Sequence, residues 1–352
     1  MTSPQTSPPA SDADTPAPAD TAAAPARTRS PWVTGLAVAV GLAVAATLML
    51  LAFLTPSLHS GAEDLPVAVS GPAPAIEQLS GQLEATDPEA LDLTVMDSAD
   101  EVTAAVEDRD AVGGLSIGAD GTVTVVTASA AGAPYTQVMN GIAAAMQPGG
   151  AQVTTVDVAP LTEDDPTGVG LSTLGLPLAF GGMISAVLLS TLLGRHPWHR
   201  LAGGLLASVV VGFTLVAVLQ FGIGTFDGDY VLTALSLSLG VAAVSLTLLG
   251  LQSLLGPAGL AVGAVLMLFV ANPLSGMATG WQWLPAPWGE IGQGLPLGAA
   301  GTLMRSVGFF DGGGALVPAL VLTAWAVFGA VLIALSAVRS RRRVSKAPHH
   351  AA

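Results

Sequence analysis

Six stretches of this chain are apolar over roughly the twenty residues that a helix needs to cross the ~30 Å hydrocarbon core of a bilayer. They run from Trp32 to Leu54, Gly168 to Leu193, Leu201 to Ile223, Tyr230 to about Leu251, Gly259 to about Met277 and Leu316 to Val338, and none contains a charged residue. With lipid as solvent every backbone polar group must be satisfied internally, so these segments are expected to be helices. Composition agrees: 51% of residues are hydrophobic, 10% are charged, and the mean hydropathy is +0.65. That balance belongs to a polytopic membrane protein and nearly excludes a soluble enzyme.

The net charge of -14 conceals a segregation. Eighteen of the 25 acidic residues lie between Glu63 and Asp165, where the only base is Arg109. Nine of the 11 Lys and Arg lie at Arg27, Arg29, Arg195, Arg200, Arg339, Arg341, Arg342, Arg343 and Lys346. With six spans and both termini cytoplasmic, all nine fall inside and the acidic region falls outside, as the positive-inside rule requires. The chain has no cysteine, so disulfides, thiolate zinc sites and a thiol nucleophile are excluded.

Residues 1–30 are rich in Pro, Ala, Ser, Thr and Asp without apolar periodicity and read as a disordered cytoplasmic tail. Residues 31–55 are longer than the core of a cleaved signal and form the expected first transmembrane helix. Residues 56–166 change to the composition of a soluble α/β domain placed outside the membrane between helices 1 and 2. Within it, strands are expected at Leu65–Gly71, Leu91–Asp97 and Gln152–Val158, with helices at Pro74–Ala85 and Pro134–Met146. AVGGLSIG and TVTVVTA read as a hairpin, and Ser98 with Glu101 reads as a capping box opening a helix whose buried face is Val102, Ala105 and Val106. The acidic surface is solvation, and Glu163, Asp164 and Asp165 lack the spacing of a metal loop. Residues 167–338 hold the other five helices, and residues 339–352 are a basic tail that also suits anionic lipid.

Between Trp281 and Gly314 the chain is apolar but cannot be one helix, because Leu284/Pro285, Leu295/Pro296, Glu290, Arg305 and Asp311 interrupt it. Short helices dipping part-way into the membrane are expected, and broken backbone at that depth needs protein or a water-filled cavity around it. Trp288, Glu290, Arg305, Phe309 and Asp311 are therefore candidates for the wall or gate of a pathway. For the three charges a structural ion pair or a headgroup-level position is the plainer reading. Trp281, Trp283 and Trp288 suit an outer interfacial belt, as Trp32 and Trp198 suit the inner one.

Catalytic chemistry is missing from the chain. A phosphate-binding P-loop needs Lys followed by Ser or Thr after a Gly-rich turn, but Ala347 and Pro348 follow Lys346, the only lysine. No nucleophile elbow or His-Glu metal pattern is present, and no cofactor, metal or nucleic-acid partner is implied. Ion-coupled transport is disfavoured because the spans hold no titrating group, and Gln220 and Gln252 near span ends read as interhelical hydrogen bonds.

The order of one helix, a large external domain, and five helices with a broken segment before the last resembles the membrane subunits of type-2 ABC exporters. More narrowly it is similar to permeases of the YhgE/Pip group. The residues that carry this are VAVSGP (Val67 to Pro72), SADEVTAAVEDRDAVGGLSI (Ser98 to Ile117), TASAAG (Thr127 to Gly132) and LPAPWGEIGQGLPLGAAGTLMRSVGFFDG (Leu284 to Gly312). The resemblance implies a non-enzymatic permease subunit in a bacterial plasma membrane, exporting a hydrophobic or lipid-like substrate. Its implied partners are a separate ATP-binding cassette ATPase subunit, a second copy or a similar permease, and membrane lipid. It also implies that the turn carrying Arg195, His196, Trp198 and Arg200 contacts that ATPase. The alternative expectation is a membrane-anchored scaffold or receptor whose external domain binds a partner or cell-wall component.

Overall fold

The computed structural model describes residues 30–147, 152–194 and 196–345. The tail expected over residues 1–30 lies outside them but for Ser30, as do Arg195 and the chain from Lys346 onward. By its internal contacts the chain divides into Met1–Thr47 and Leu48–Ala352. The described part of the first unit is Ser30 and the first portion of helix α1 (Pro31–Leu58), a 28-residue apolar helix with Pro56 in its last turn.

The α/β domain follows. Strand β1 (Leu65–Ser70) leads through helix α2 (Ala73–Thr86) to β2 (Leu91–Val95), and α3 (Ala99–Glu107) leads to the hairpin of β3 (Gly113–Ile117) and β4 (Thr122–Thr127). Helix α4 (Ala133–Met146) then precedes β5 (Gln152–Asp157). The sheet order is β2-β1-β3-β4-β5, antiparallel only at the β3–β4 hairpin and parallel elsewhere. The expected cap is present, with the Ser98 hydroxyl accepting from the Glu101 N–H at 3.2 Å. Glu101 returns one residue further than a strict capping box, accepting from the Asp97 N–H at 3.0 Å. Val102, Ala105 and Val106 turn inward as their spacing predicts, and join Leu65, Val67, Val69, Leu115, Val125 and Met139 in the domain core.

Five helices among the described residues are long and apolar enough to cross a membrane. They are α1, α6 (Gly175–Leu192), α7 (Pro197–Ala217) with its π-helical extension to Ile223, α8 (Tyr230–Leu255) and α12 (Leu316–Ser345). The segment expected to begin at Gly168 is divided, because a single turn, α5 (Val169–Ser172), precedes α6. Pro177 in the first turn of α6 lacks the N–H and has a ring that clashes with the carbonyl four residues back, so α5 cannot run on into α6. The segment expected over Gly259–Met277 is also shorter: α9 (Pro257–Val265) relaxes into a π-helix over Leu266–Ala271 and stops before Asn272-Pro273. Asn272 keeps helical geometry and still donates to the Met267 carbonyl, but Pro273 has no N–H to carry the ladder on, which places the stop.

Helix α8 organises the bundle. Of its spanning portion 78% is buried, whereas α6, α7 and α12 each bury 33% or less of theirs. Small residues let neighbouring backbones come close: a Cβ at Gly212 on α7 would sit 2.7 Å from the Ser238 nitrogen, and one at Gly250 on α8 would sit 2.6 Å from the Gly329 carbonyl oxygen on α12. Polar side chains add links between helices, Ser208 with Ser245 at 3.1 Å and the Thr247 hydroxyl to the Trp325 carbonyl at 3.2 Å. The broken segment forms a short 3₁₀ turn at Trp281–Trp283, then α10 (Trp288–Gln293) and α11 (Pro296–Phe309).

Candidate functional site

Helix α11 is where the α/β domain meets the bundle. Eleven of its 14 residues are buried, an unusual degree for so short a helix, because α8 and the domain cover it from different sides. Its partners include Ala300 against Gly240 of α8, and Phe310, just past its end, inside the domain core. The freed carbonyls around the break are covered by protein: the Trp325 indole donates to the Gly294 carbonyl at 2.8 Å, and Gln293 donates to that of Ser275 at 3.4 Å. This is the condition under which irregular backbone is tolerated away from water.

Two arginines make the joint. Arg305, 4% exposed, donates from Nε to the Ala130 carbonyl of the domain at 2.8 Å and from Nη2 to the Met277 carbonyl at 2.9 Å. Arg109 reaches in the other direction. It follows α3 in the left-handed region at φ 65°, a strained conformation for a non-glycine residue that aims its side chain at α11. There Nη1 donates to the Thr302 carbonyl at 2.9 Å and to the Ser306 hydroxyl at 2.6 Å, while the guanidinium carbon lies 5.2 Å from the centre of the Phe310 ring. Burial, then the neighbouring Arg305, lowers the Arg109 pKa to about 9, so it stays charged at neutral pH. Tyr135 completes the joint, donating to Gln282 Oε1 at 3.0 Å with its ring edge-on to Trp283. Burial raises the pKa of its hydroxyl, which remains a donor.

The five pathway candidates do not converge. Arg305 is in the joint, Phe309 packs on Phe226 with ring centres 5.3 Å apart, and Asp311 is an exposed turn residue at φ 49°. Glu290 is exposed on the rim of a cleft of about 400 Å³ whose walls include Arg109, Asp110 and Trp281. Trp288 borders a separate apolar groove of about 580 Å³ against Thr55, His59 and Phe269. The expected ion pair is replaced by bonds from Arg305 to main-chain carbonyls, since those carbonyls, orphaned by the breaks at Ala130 and Met277, are the acceptors within reach.

Of the turn residues, His196 occupies the N-cap position of α7 without a side-chain capping bond and stacks edge-on with His199 at 5.5 Å, and Trp198 is 58% exposed. Arg200 points the other way, into the bundle, donating to Gln252 Oε1 at 2.8 Å, the Ser253 hydroxyl at 3.1 Å and the Ser190 carbonyl at 2.8 Å. It thereby ties α6, α7 and α8 together, and Gln252 serves the interhelical bond its position suggests. Asp165, the buried member of the acidic trio, accepts from the Val169 and Gly170 N–H groups, both at 2.8 Å, and from the Thr225 hydroxyl at 3.0 Å. Its two oxygens cap α5 and hold the loop after α7.

Sequence reasoning passed over Arg109, Tyr135, Thr302 and Ser306. One signal was available for Arg109, the single base among eighteen acids. Comparison with family models, with curated proteins and with solved structures returns no match.

Proposed function

We propose that the chain is the permease subunit of an ATP-driven exporter in a bacterial plasma membrane. It works as a dimer with itself or a similar chain, and a separate ATPase subunit supplies the energy. The observation that carries this reading is the enclosed α11, a broken apolar segment packed at once on the central bundle helix and on a water-type domain. In this scheme there are six crossings, the fifth being made by Pro257–Ala271 with the turns after it, and the α/β domain lies outside. The ATPase presses on the exposed end of the α6–α7 turn at His196 and Trp198. Arg200 passes the displacement to α8, Gly240 passes it to α11 through Ala300, and the two arginines pass it to the domain. The cargo is hydrophobic or lipid-like.

The test is purification of the full chain in mild detergent after crosslinking in the membrane. Co-purification of an ATP-hydrolysing subunit, lost on Trp198→Glu, is the expected result. A monomer with no such companion would overturn the exporter reading and favour a membrane-anchored scaffold. Sidedness is tested separately, because a chain without cysteine accepts clean single labels. Asp120→Cys should react with an impermeant maleimide in intact cells and His199→Cys should not; the reverse pattern would sink the topology.

A further inference from the structure

A pocket of about 290 Å³ lies beside the joint, between the start of α4, the turn before α5 and α11. Its lining has one cation and no carboxylate: Ser129, Thr136, Gln137, Thr167, Ser172 and Arg305 supply the polar side chains, with Leu161 and Leu171 among the apolar ones. Three independent observations bear on what would occupy it. First, Arg305 is 4% exposed, spends Nε and Nη2 on neutral carbonyls, and has no Nη1 partner among the described residues. Its charge is thus unneutralised, and Arg109 adds a second positive group within electrostatic range. Buried charges are ordinarily paired, because an uncompensated one in a low-dielectric site is costly. Second, Thr136 lines this pocket, and its hydroxyl oxygen is buried and makes no hydrogen bond. Third, α4, a 14-residue helix, opens at Gly132 with no side chain capping it. Pro134 in its first turn has no N–H and Thr136 N–H bonds the Gly132 carbonyl, but Gly132 and Ala133 line the pocket, which puts the positive end of the helix dipole beside it.

We propose that this pocket binds an oxyanion, a phosphate or carboxylate group, held by the Arg305 guanidinium, the Thr136 hydroxyl and the N-terminus of α4. Helix N-termini bind anions through their dipole and free N–H groups, and a guanidinium matches the planar or tetrahedral oxygen pattern. Occupancy would neutralise the cation at the joint and so tighten the seat of the domain on α11. The group could arrive on a soluble molecule or on a lipid headgroup, and the chemistry at the pocket is the same. The proposal does not depend on the exporter reading.

The experiment uses the full chain in phosphatidylcholine nanodiscs. Thermal unfolding is followed as inorganic phosphate or acetate is added, with chloride at matched ionic strength as the control. A parallel set of discs contains phosphatidylglycerol. A rise in unfolding temperature with phosphate or acetate identifies a soluble anion, and a rise only in phosphatidylglycerol discs identifies the headgroup. Gln137→Glu, an exposed change at the pocket, should weaken the apparent affinity about tenfold, because it sets a repelling carboxylate beside the bound anion. Thr136→Val should weaken it severalfold while leaving the anion-free unfolding temperature unchanged or higher, since that buried hydroxyl makes no bond to lose. Arg305→Gln should abolish the response; if it does not fold, the other two variants decide. No shift in any disc, or shifts that Gln137→Glu and Thr136→Val leave intact, would overturn the proposal.

Discussion

The bond between Arg109 and Ser306 is the sharpest place to test whether the α/β domain is fastened to α11 or merely rests on it. Its 2.6 Å length joins a charged donor to a hydroxyl, and the same Nη1 also serves the Thr302 carbonyl at 2.9 Å. A hydrogen bond involving a charged group is worth ~1.5–3 kcal/mol, and a shared donor puts each of these at the lower end. Arg109→Met keeps the stem over Phe310 but loses both bonds, for a gross cost of ~3 kcal/mol. Part is returned, because a guanidinium disfavoured by burial and by Arg305 has gone. A net loss of ~2 kcal/mol remains, which raises the population of the open joint roughly 30-fold. Hydrogen exchange at the Ser306 to Phe310 amides reads that opening directly. Ser306→Ala, Arg109→Met and the double variant close a cycle whose coupling term should be ~1 to 1.5 kcal/mol. A coupling below ~0.3 kcal/mol, the level at which independent sites add, would show that the bond does not fasten the joint and refute the reasoning.

Other consequences can be checked together. Gly329→Leu should collapse the yield of monodisperse protein on size exclusion, because a Cβ there runs into the main chain of Leu246 on α8, which a core cannot relax around. Gly141→Ala, inside α4 with nothing within 4 Å of the added methyl, should instead raise stability by about 0.5–1 kcal/mol in a thermal melt. Arg200→Met should lower the unfolding temperature, since it strands the acceptors on Ser190, Gln252 and Ser253, whereas Trp198→Glu should leave that temperature unchanged. Asp165→Asn should loosen α5, read as faster exchange at Val169 and Gly170, because an amide can accept through only one of the two positions the carboxylate uses.

The placement of the candidate residues changes how the broken segment is to be understood. A gate would gather Trp288, Glu290, Arg305, Phe309 and Asp311 around one opening, but they face a groove, a cleft, a joint, a ring stack and a solvent turn. What α10 and α11 provide is a platform. Its rigidity comes from α8 beneath and its specificity from two arginines that cross in opposite directions, one from each side.

What could be read from the chain alone was everything governed by local period and local solvent. The strands, the helix faces, the Ser98 cap and the apolar spans follow from alternation, 3.6-residue spacing and the absence of charge. The breaks at Pro177 and before Pro273 were also written in the residues, although apolar length hid them. Contacts between residues far apart in sequence were another matter. Arg109 to Ser306, Arg305 to Ala130 and Tyr135 to Gln282 join positions separated by 197, 175 and 147 residues, and no pattern along the chain encodes such a pairing. Likewise Arg200 reads as a topology charge in a basic turn, yet its stem is long enough to carry the guanidinium back among Ser190, Gln252 and Ser253. A side chain's type is local, but its partner is set by which surfaces the fold brings together, and that only the tertiary structure decides.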